Sequence, residues 1–527
     1  MKLYKLLIAV VAAASVMTSC TKDLDRVPEY GFTNEVLFKN EAGYRSALAK
    51  LYAGLALTGN NANGGAGAPD ITTITDEGFS SYIRIYWKMQ ELTTDEAVIG
   101  WNDKTIKDFH ELDWTPADEF IGGMYSRLFF QITLANNFIR ESEDGKVSGR
   151  GISGADADKI KDYRNEARFL RALSYYHALD LYGNPTFVTD ADGIGAFLPQ
   201  RTTRAALFNW IEQELLAIEP LMKDPKANEY ARADRAAVWM LLANLYLNAQ
   251  VYIGTEKNTQ AVTYSKKVMQ AGYTLNNNYA YNFLADNNTS SEVIFPVAFD
   301  GTKTRTWGGC TFLVHAPIGG SMSATDYGVD GGWGGLRTTS ALVAKFPDPS
   351  GATDKRAMFH TAGQTLAIAD IAEFSNGYAI KKWKNVKQNG QAGSNLTWVD
   401  TDFPMFRLAE ANLIFAEAVL RGGTGGTNVE ALAAVNALRT RAYGNATGNL
   451  GALTLQDVLD ERARELYWEG KRRTDLIRFN QFHTNTYLWP WKGGVASGRA
   501  VDAYRDLFPI PAAELNSNPN LIQNTGY

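Results

Sequence analysis

Apolar residues recur along this chain at spacings of three and four, the period of helices that bury one face. Over residues 34–57 the stripe is Tyr44, Leu48, Leu51 and Leu55. Residues 120–141 and 157–182 repeat it, the latter with Tyr163, Ala167, Leu170, Ser174, His177 and Leu181 in line and Gly183 and Pro185 as a stop. Further helices are predicted over 207–222, 233–252, 259–271, 407–421 and 429–442. At Thr454, with Asp457 three residues on, the chain has the form of a capping box. Leu455, Val458, Leu459, Ala463, Leu466 and Tyr467 then mark one helix face, and Gly470 permits the turn that ends it. On the opposite face Asp460 stands four residues before Arg464 and Glu469 four before Arg473, a spacing that predicts an ion-paired or solvated surface.

These helices come in pairs. Trp239, Leu242, Ala243 and Tyr246 keep the W-x2-L-G-x2-Y spacing of a tetratricopeptide repeat, with alanine at the close-contact position, and 259–271 is the partner helix. Helices 407–421 and 429–442, joined by GGTGGTN, form a second pair, and 120–182 and 454–481 supply two more. Such pairs cannot bury their apolar faces alone, so about four should stack into one array. The predicted fold class is therefore mainly α, a tetratricopeptide-like helical-repeat scaffold, as a single unit over 34–527. Over about 58–118 and 276–400 the period lapses into Gly, Asn, Thr and aromatic residues, with a short apolar run at 293–299 that suits a buried strand. Irregular insertions of that size in a compact fold usually carry function.

The start of the chain has a different character. Lys2 and Lys5 precede an apolar run over 6–16 that is too short to span a bilayer, and Met17, Thr18 and Ser19 lead to Cys20. This predicts a lipoprotein signal peptide over 1–19, acylation of Cys20 and a polar tether over 20–33. Cys310, the other of two cysteines, is expected as a small buried residue, so no disulfide framework holds the fold.

A net charge of −5 without a basic stripe excludes a nucleic-acid surface. No HExxH, GxSxG or phosphate-loop motif and no Cys/His cluster occurs, and nothing singles out a glycosidase pair among 57 acidic residues. His177 lies in an apolar stripe with no partner spaced to join it and is expected as a core histidine.

The aromatic content points elsewhere. Many of the 12 Trp, 25 Tyr and 25 Phe fall in Gly- and Asn-rich stretches that helical packing does not explain. Trp307 in KTRTWGGC and Trp333 in DGGWGGLR each stand beside paired glycines. They are read as rings offered outward, with packing between loops as the alternative. Flat rings match the apolar faces of pyranose sugars, and Arg and Asp match the rim of hydroxyls.

Glu461-Arg462, Arg464-Glu465, Glu469-Gly470, Arg472-Arg473, Asp475-Leu476 and Arg478-Phe479, with RLAEANLIFAEA at 407–418, resemble the C-terminal signature of the SusD/RagB family of bacterial outer-membrane glycan-binding lipoproteins. The resemblance runs through the mature chain and is nearest to starch-binding members. It implies a cell-surface, non-catalytic protein that binds α-glucan and delivers it to a SusC-like TonB-dependent transporter. Dextran or another glycan, or less readily a glycoside-active enzyme, is the alternative. In a starch-binding member an arc of rings is flanked by an Asp, an Arg and an Asn. Carried over by local motif, these imply Trp101, Trp307 and Trp333 as platforms, with Asp76, Arg84 and, where the relative has Asn, Lys104. Asp400 and Asp402 in VDTDFP, with Asp286 in LADNN, imply a possible structural calcium, or plain solvated loop acids; no other cofactor is expected.

Overall fold

The computed structural model describes residues 33–60, 69–74, 76–193, 195 and 197–527. The expected signal peptide, Cys20 and most of the 58–70 loop lie outside them. Helices α1 (Glu41–Ala56), α3 (Glu119–Glu141), α4 (Gly154–Tyr182) and α5 (Arg204–Ile218) form one end of the array, with α2 (Tyr82–Trp87) packed against α3. Helices α6 (Arg235–Leu247), α7 (Asn258–Met269), α9 (Leu408–Leu420), α10 (Asn428–Tyr443) and α11 (Leu455–Leu466) continue it, α5 meeting α6, α7 meeting α9, and α9 meeting both α10 and α11. Helix α8 (Gly309–His315), in the long insertion, packs on α2. The tetratricopeptide-like, mainly helical reading thus holds.

Local chemistry sets the helix starts. Asn40, Asp118, Thr203 and Asp234 cap their helices through side-chain oxygens, and Thr427–Glu430 and Thr454–Asp457 are complete capping boxes. The predicted stripe of α4 is buried throughout. His177 is a core residue as expected: it shares a 2.7 Å hydrogen bond with the Tyr82 hydroxyl, and burial pushes it down to about 3. Cys310 is likewise buried.

Strands are short. β1 (Val98–Ile99) pairs antiparallel with β3 (Leu336–Arg337), β2 (Val293–Val297) with β6 (Phe403–Arg407), and β4 (Phe359–His360) with β5 (Ala379–Ile380). The apolar run at 293–299 therefore does contain a strand.

The stretch after Thr454 departs from its expectation twice. It is not one helix to Gly470: α11 ends at Leu466, the chain turns through left-handed Trp468 and Gly470 (φ 63° and 75°), and α12 (Arg472–Arg478) restarts it. Acids from an earlier segment hold that turn open. Glu96 accepts the Trp468 N–H at 3.0 Å, and Glu91 accepts those of Gly470 and Lys471 at 2.6 and 3.1 Å.

Nor is its charged face a surface. Asp460 pairs with Lys345 and Arg464 with Glu461, while Glu469 turns inward to Lys382 and Arg407, each at 2.7 Å. Glu465, fully buried, meets Arg356, Arg407 and Arg441, and Arg407 also meets Glu292 at 2.6 Å. Burying charges is costly unless they are paired, as these are; Arg473, buried as well, instead donates to the Asp506 carbonyl at 2.6 Å and has no acidic partner among the described residues. The consequence is architectural: Glu461 and Glu465 of α11, with Glu469 just past its end, hold Arg356, Lys382 and Arg407, and so tie the irregular 276–407 segment to the helical array.

Candidate functional site

Strands β1 and β3 and helix α8 bring the tryptophans together. Pairing of β1 with β3 sets Trp101, two residues past β1, beside Trp333, three residues before β3, and the Gly100 N–H extends the ladder to the Gly335 carbonyl at 3.0 Å. The end of α8 leaves carbonyls without helical partners. His315 and Ala316 carbonyls instead accept the N–H groups of Trp333 and Gly335 at 2.9 and 2.8 Å, which lays the tryptophan loop on the helix end. Trp307 lies just ahead of the same helix.

The resulting cluster is tight. Ring centroids are 6.2 Å apart for Trp101 and Trp333 and 6.1 Å for Trp307 and Trp333, with interplanar angles of 44° and 56°. The three rings thus span no more than about 12 Å and tilt successively rather than lying flat. Trp307 is 40% exposed, whereas Trp101 and Trp333 are half-buried. The Trp101 Nε1 donates to the Trp333 carbonyl at 3.2 Å, and His315 stacks on Trp333 at 5.0 Å. The glycines have a different use from the one read in the sequence. A Cβ on Gly335 would stand 2.3 Å from the Trp101 ring, so glycine there lets one indole rest on the backbone that carries another.

Asp76, Arg84, Lys104, Trp307 and Trp333 line one open cavity of about 670 Å3. Trp101 stands behind it, its centroid 5.9 Å from the Arg84 guanidinium, which lies equally far from Trp333 and 4.6 Å over Phe312. All six sequence-derived residues therefore meet in one place. Arg84 is only 9% exposed; burial lowers its pKa to about 10, with Asp76 opposing the shift. It also donates to the Trp307 carbonyl at 2.8 Å. Asp76, exposed, accepts the Gly78 N–H at 2.6 Å. Lys104 adopts a left-handed φ of 48°, a conformation that asparagine takes more readily, and reaches Glu119 as an ion pair with its ammonium 4.7 Å over Phe79.

Four residues here were not anticipated. Glu77, buried, accepts the Trp307 N–H with one oxygen and the Thr58 hydroxyl at 2.6 Å with the other. Together with Arg84 it clamps both ends of the Trp307 peptide. Trp398 packs against Trp307 with centroids 4.2 Å apart; a tryptophan in the Asn- and Gly-rich run before Asp400 was the available signal. Lys88 lies in the cavity wall, donating to the Gly78 carbonyl at 3.1 Å, and burial, then Arg84, lowers its pKa well below the usual range. Asp103, exposed on the same cavity, completes the set.

Asp286, Asp400 and Asp402 line a separate cavity of about 580 Å3 together with Asp300 and Lys387. Their oxygens already accept protein donors: Gln388 N–H on Asp286, Ser394 and Gly301 on Asp400, Phe299 N–H and the Tyr230 hydroxyl on Asp402. Burial lifts Asp402 to about 6, against those hydrogen bonds and helped by Asp400. Among the described residues, the acids whose ligand oxygens do converge within 4.8 Å are Asp108, Glu111 and Asp113 instead.

Comparison with known proteins fits this geometry. A model described as the SusD family matches residues 367–527. The starch-binding protein SusD of Bacteroides thetaiotaomicron is 35% identical, the match covering 99% of this chain and 98% of that one. The SusD-like protein P2 of Formosa agariphila is 26% identical over 72% of this chain and 77% of its own. Among solved structures, a SusD superfamily protein from Parabacteroides distasonis superposes with a TM-score of 0.71 at 22% identity, covering 92% of this chain and 99% of that one. Surface glycan-binding protein A of Bacteroides fluxus gives 0.70 at 20%, with the same coverage.

Proposed function

Because this chain belongs to the SusD family, whose members bind glycans without catalysis, we propose that it captures α-glucan of the starch or maltooligosaccharide kind on the tilted rings of Trp307 and Trp333. It is a binding protein, not an enzyme. One observation carries the substrate reading: exposed indole and the polar groups of Asp76, Arg84 and Lys104 converge on a single open cavity. Aromatic faces supply rigid apolar area to the sugar rings, and the charged groups supply directional contacts to the hydroxyls. Trp101, half-buried behind Trp333, sets the angle of the platform and adds its edge.

Affinity electrophoresis against starch, glycogen, pullulan and dextran tests it. The wild type should be retarded by the α-1,4-linked polymers, and Trp101→Ala/Trp307→Ala/Trp333→Ala should run freely; equal mobility of the two proteins in every gel would refute the site. Retardation by dextran alone would move the reading to that glycan.

The same proposal places the protein at the outer membrane, anchored through acylated Cys20 and facing outward, where it hands glycan to a SusC-like TonB-dependent transporter. Among the described residues no helix is long and apolar enough to cross a membrane. Co-purification of such a transporter with the acylated chain from outer membranes, undiminished by Trp307→Ala, is the expected result; its absence would separate this chain from uptake. A calcium ion among Asp286, Asp400 and Asp402 belongs here too. The donor set is oxygen-rich and hard, with a single lysine nearby, and a cation there would have to draw these carboxylates together and away from their present donors.

A further inference from the structure

The cavity in front of Trp307 and Trp333 does not end at Lys104. Asp76, Phe79 and Lys104 are shared with a second open cavity of about 710 Å3, floored by Gly122 and Ser126 of α3 and walled by the segment carrying α13 (Ala512–Ser517). Glu514 of α13 is shared in turn with a third, of about 470 Å3, where Phe129, Phe197 and Leu198 gather. Helix α3 is the common floor. Gly122, Ser126, Phe129, Thr133 and Arg140 line these two cavities at steps of three, four and seven, a single face of the helix. From 122 to 140 that face is ~27 Å long at 1.5 Å per residue.

The composition of the trench changes along it. At the far end Phe129 packs on Tyr125 with centroids 4.6 Å apart, and Phe197 and Leu198 are 44% and 51% exposed. In the middle the lining is small and polar: a Cβ on Gly122 would meet nothing nearer than Pro511 Cβ at 4.0 Å. At the junction stands the Lys104–Glu119 pair, both partners about half exposed, an interaction weak enough to yield to a ligand.

We propose that the three cavities form one extended glycan site, in which a long chain held at Trp307 continues across Gly122 and Ser126 to a distal aromatic subsite at Phe129 and Phe197. This rests on the α-glucan reading above. Continuity with the tryptophan cavity favours the distal part of the same chain as occupant: apolar rings at both ends suit sugar faces, and the small, polar middle leaves room for the chain between them. Two weak contacts joined by one chain act cooperatively, so affinity should grow with chain length.

Calorimetry on the full chain with maltotriose and with soluble amylose, both per glucose unit, tests this. Gly122→Trp, which plugs the middle, should weaken amylose binding at least about fivefold and leave maltotriose unchanged; Phe197→Ala, at an exposed position, should weaken amylose alone by a smaller factor. Comparing variants cancels the statistical advantage of a polymer. The same amylose-to-maltotriose ratio in wild type and both variants would overturn the trench while leaving the tryptophan site standing. If Gly122→Trp loses both ligands or does not fold, Phe197→Ala decides alone. Full binding of both ligands by Trp307→Ala would instead refute the underlying glycan reading, and the trench with it.

Discussion

Glu77→Ala removes no ring and no residue that faces solvent, yet it should disable the platform. Glu77 accepts the Trp307 N–H and, at 2.6 Å, the Thr58 hydroxyl, while Arg84 holds the Trp307 carbonyl at 2.8 Å. Truncation leaves two donors without acceptors, at a cost of about 1–3 kcal/mol each. Spread over the described chain at ~2.1 cal/mol/K per residue, a loss of roughly 2–6 kcal/mol lowers Tm by about 2–6 °C. If the truncation leaves the released Trp307 loop favoured over the clamped one by about 1.3 kcal/mol, the binding-competent population falls tenfold, and affinity with it. Calorimetry with maltoheptaose, alongside a thermal melt, reads both. Glu77→Gln, which keeps an acceptor, should fall between. Wild-type affinity in Glu77→Ala would show that the clamp on Trp307 plays no part in presenting its ring.

Glu465→Gln should cost about 3–5 kcal/mol, because three arginines lose a shared buried carboxylate. Tm should fall by several degrees with glycan affinity kept, and an unchanged melt would contradict the network. Its pH dependence has a definite sign. Burial alone would raise these acids, but Arg441, Arg407 and Arg356 outweigh it and hold Glu465 far down, and Arg356, Arg464 and Arg439 bring Glu461 to about 2. Both pKa values are depressed below the ordinary ~4.3 of glutamate, so the stability they contribute is present above that pH and is lost as pH falls towards 2. A denaturation series should therefore show stability dropping steeply below pH ~4, and less steeply in Glu465→Gln. Calcium should raise Tm over EGTA in wild type and not in Asp400→Asn/Asp402→Asn; no difference in wild type would remove the ion from the account.

The helices were legible because their signals are local. Thr454 with Asp457 and the apolar stripe of α4 mean the same thing wherever the helix sits. The fate of the charges on 460–478 was not, since Asp460 and Arg464 at four-residue spacing look alike on a wet face and in a buried network. The break at Trp468 was hidden for a related reason: Glu91 and Glu96, some 370 residues earlier, hold that turn open. The six residues that the resemblance implies do come together in space, whereas the clamp by Glu77 and the pairing of Trp398 with Trp307 depend on loops meeting and have no motif of their own. The paired glycines are read in the sequence as leaving the tryptophan rings free to face outward, whereas Gly335 is needed because the Trp101 ring lies against it.

A crystal structure of this protein soaked with maltoheptaose would test the account most directly. Consecutive glucose rings should lie stacked on Trp307 and Trp333, with hydroxyls directed at Asp76 and Lys104. Density for the sugar elsewhere on the molecule, with the faces of both indoles bare, would contradict it.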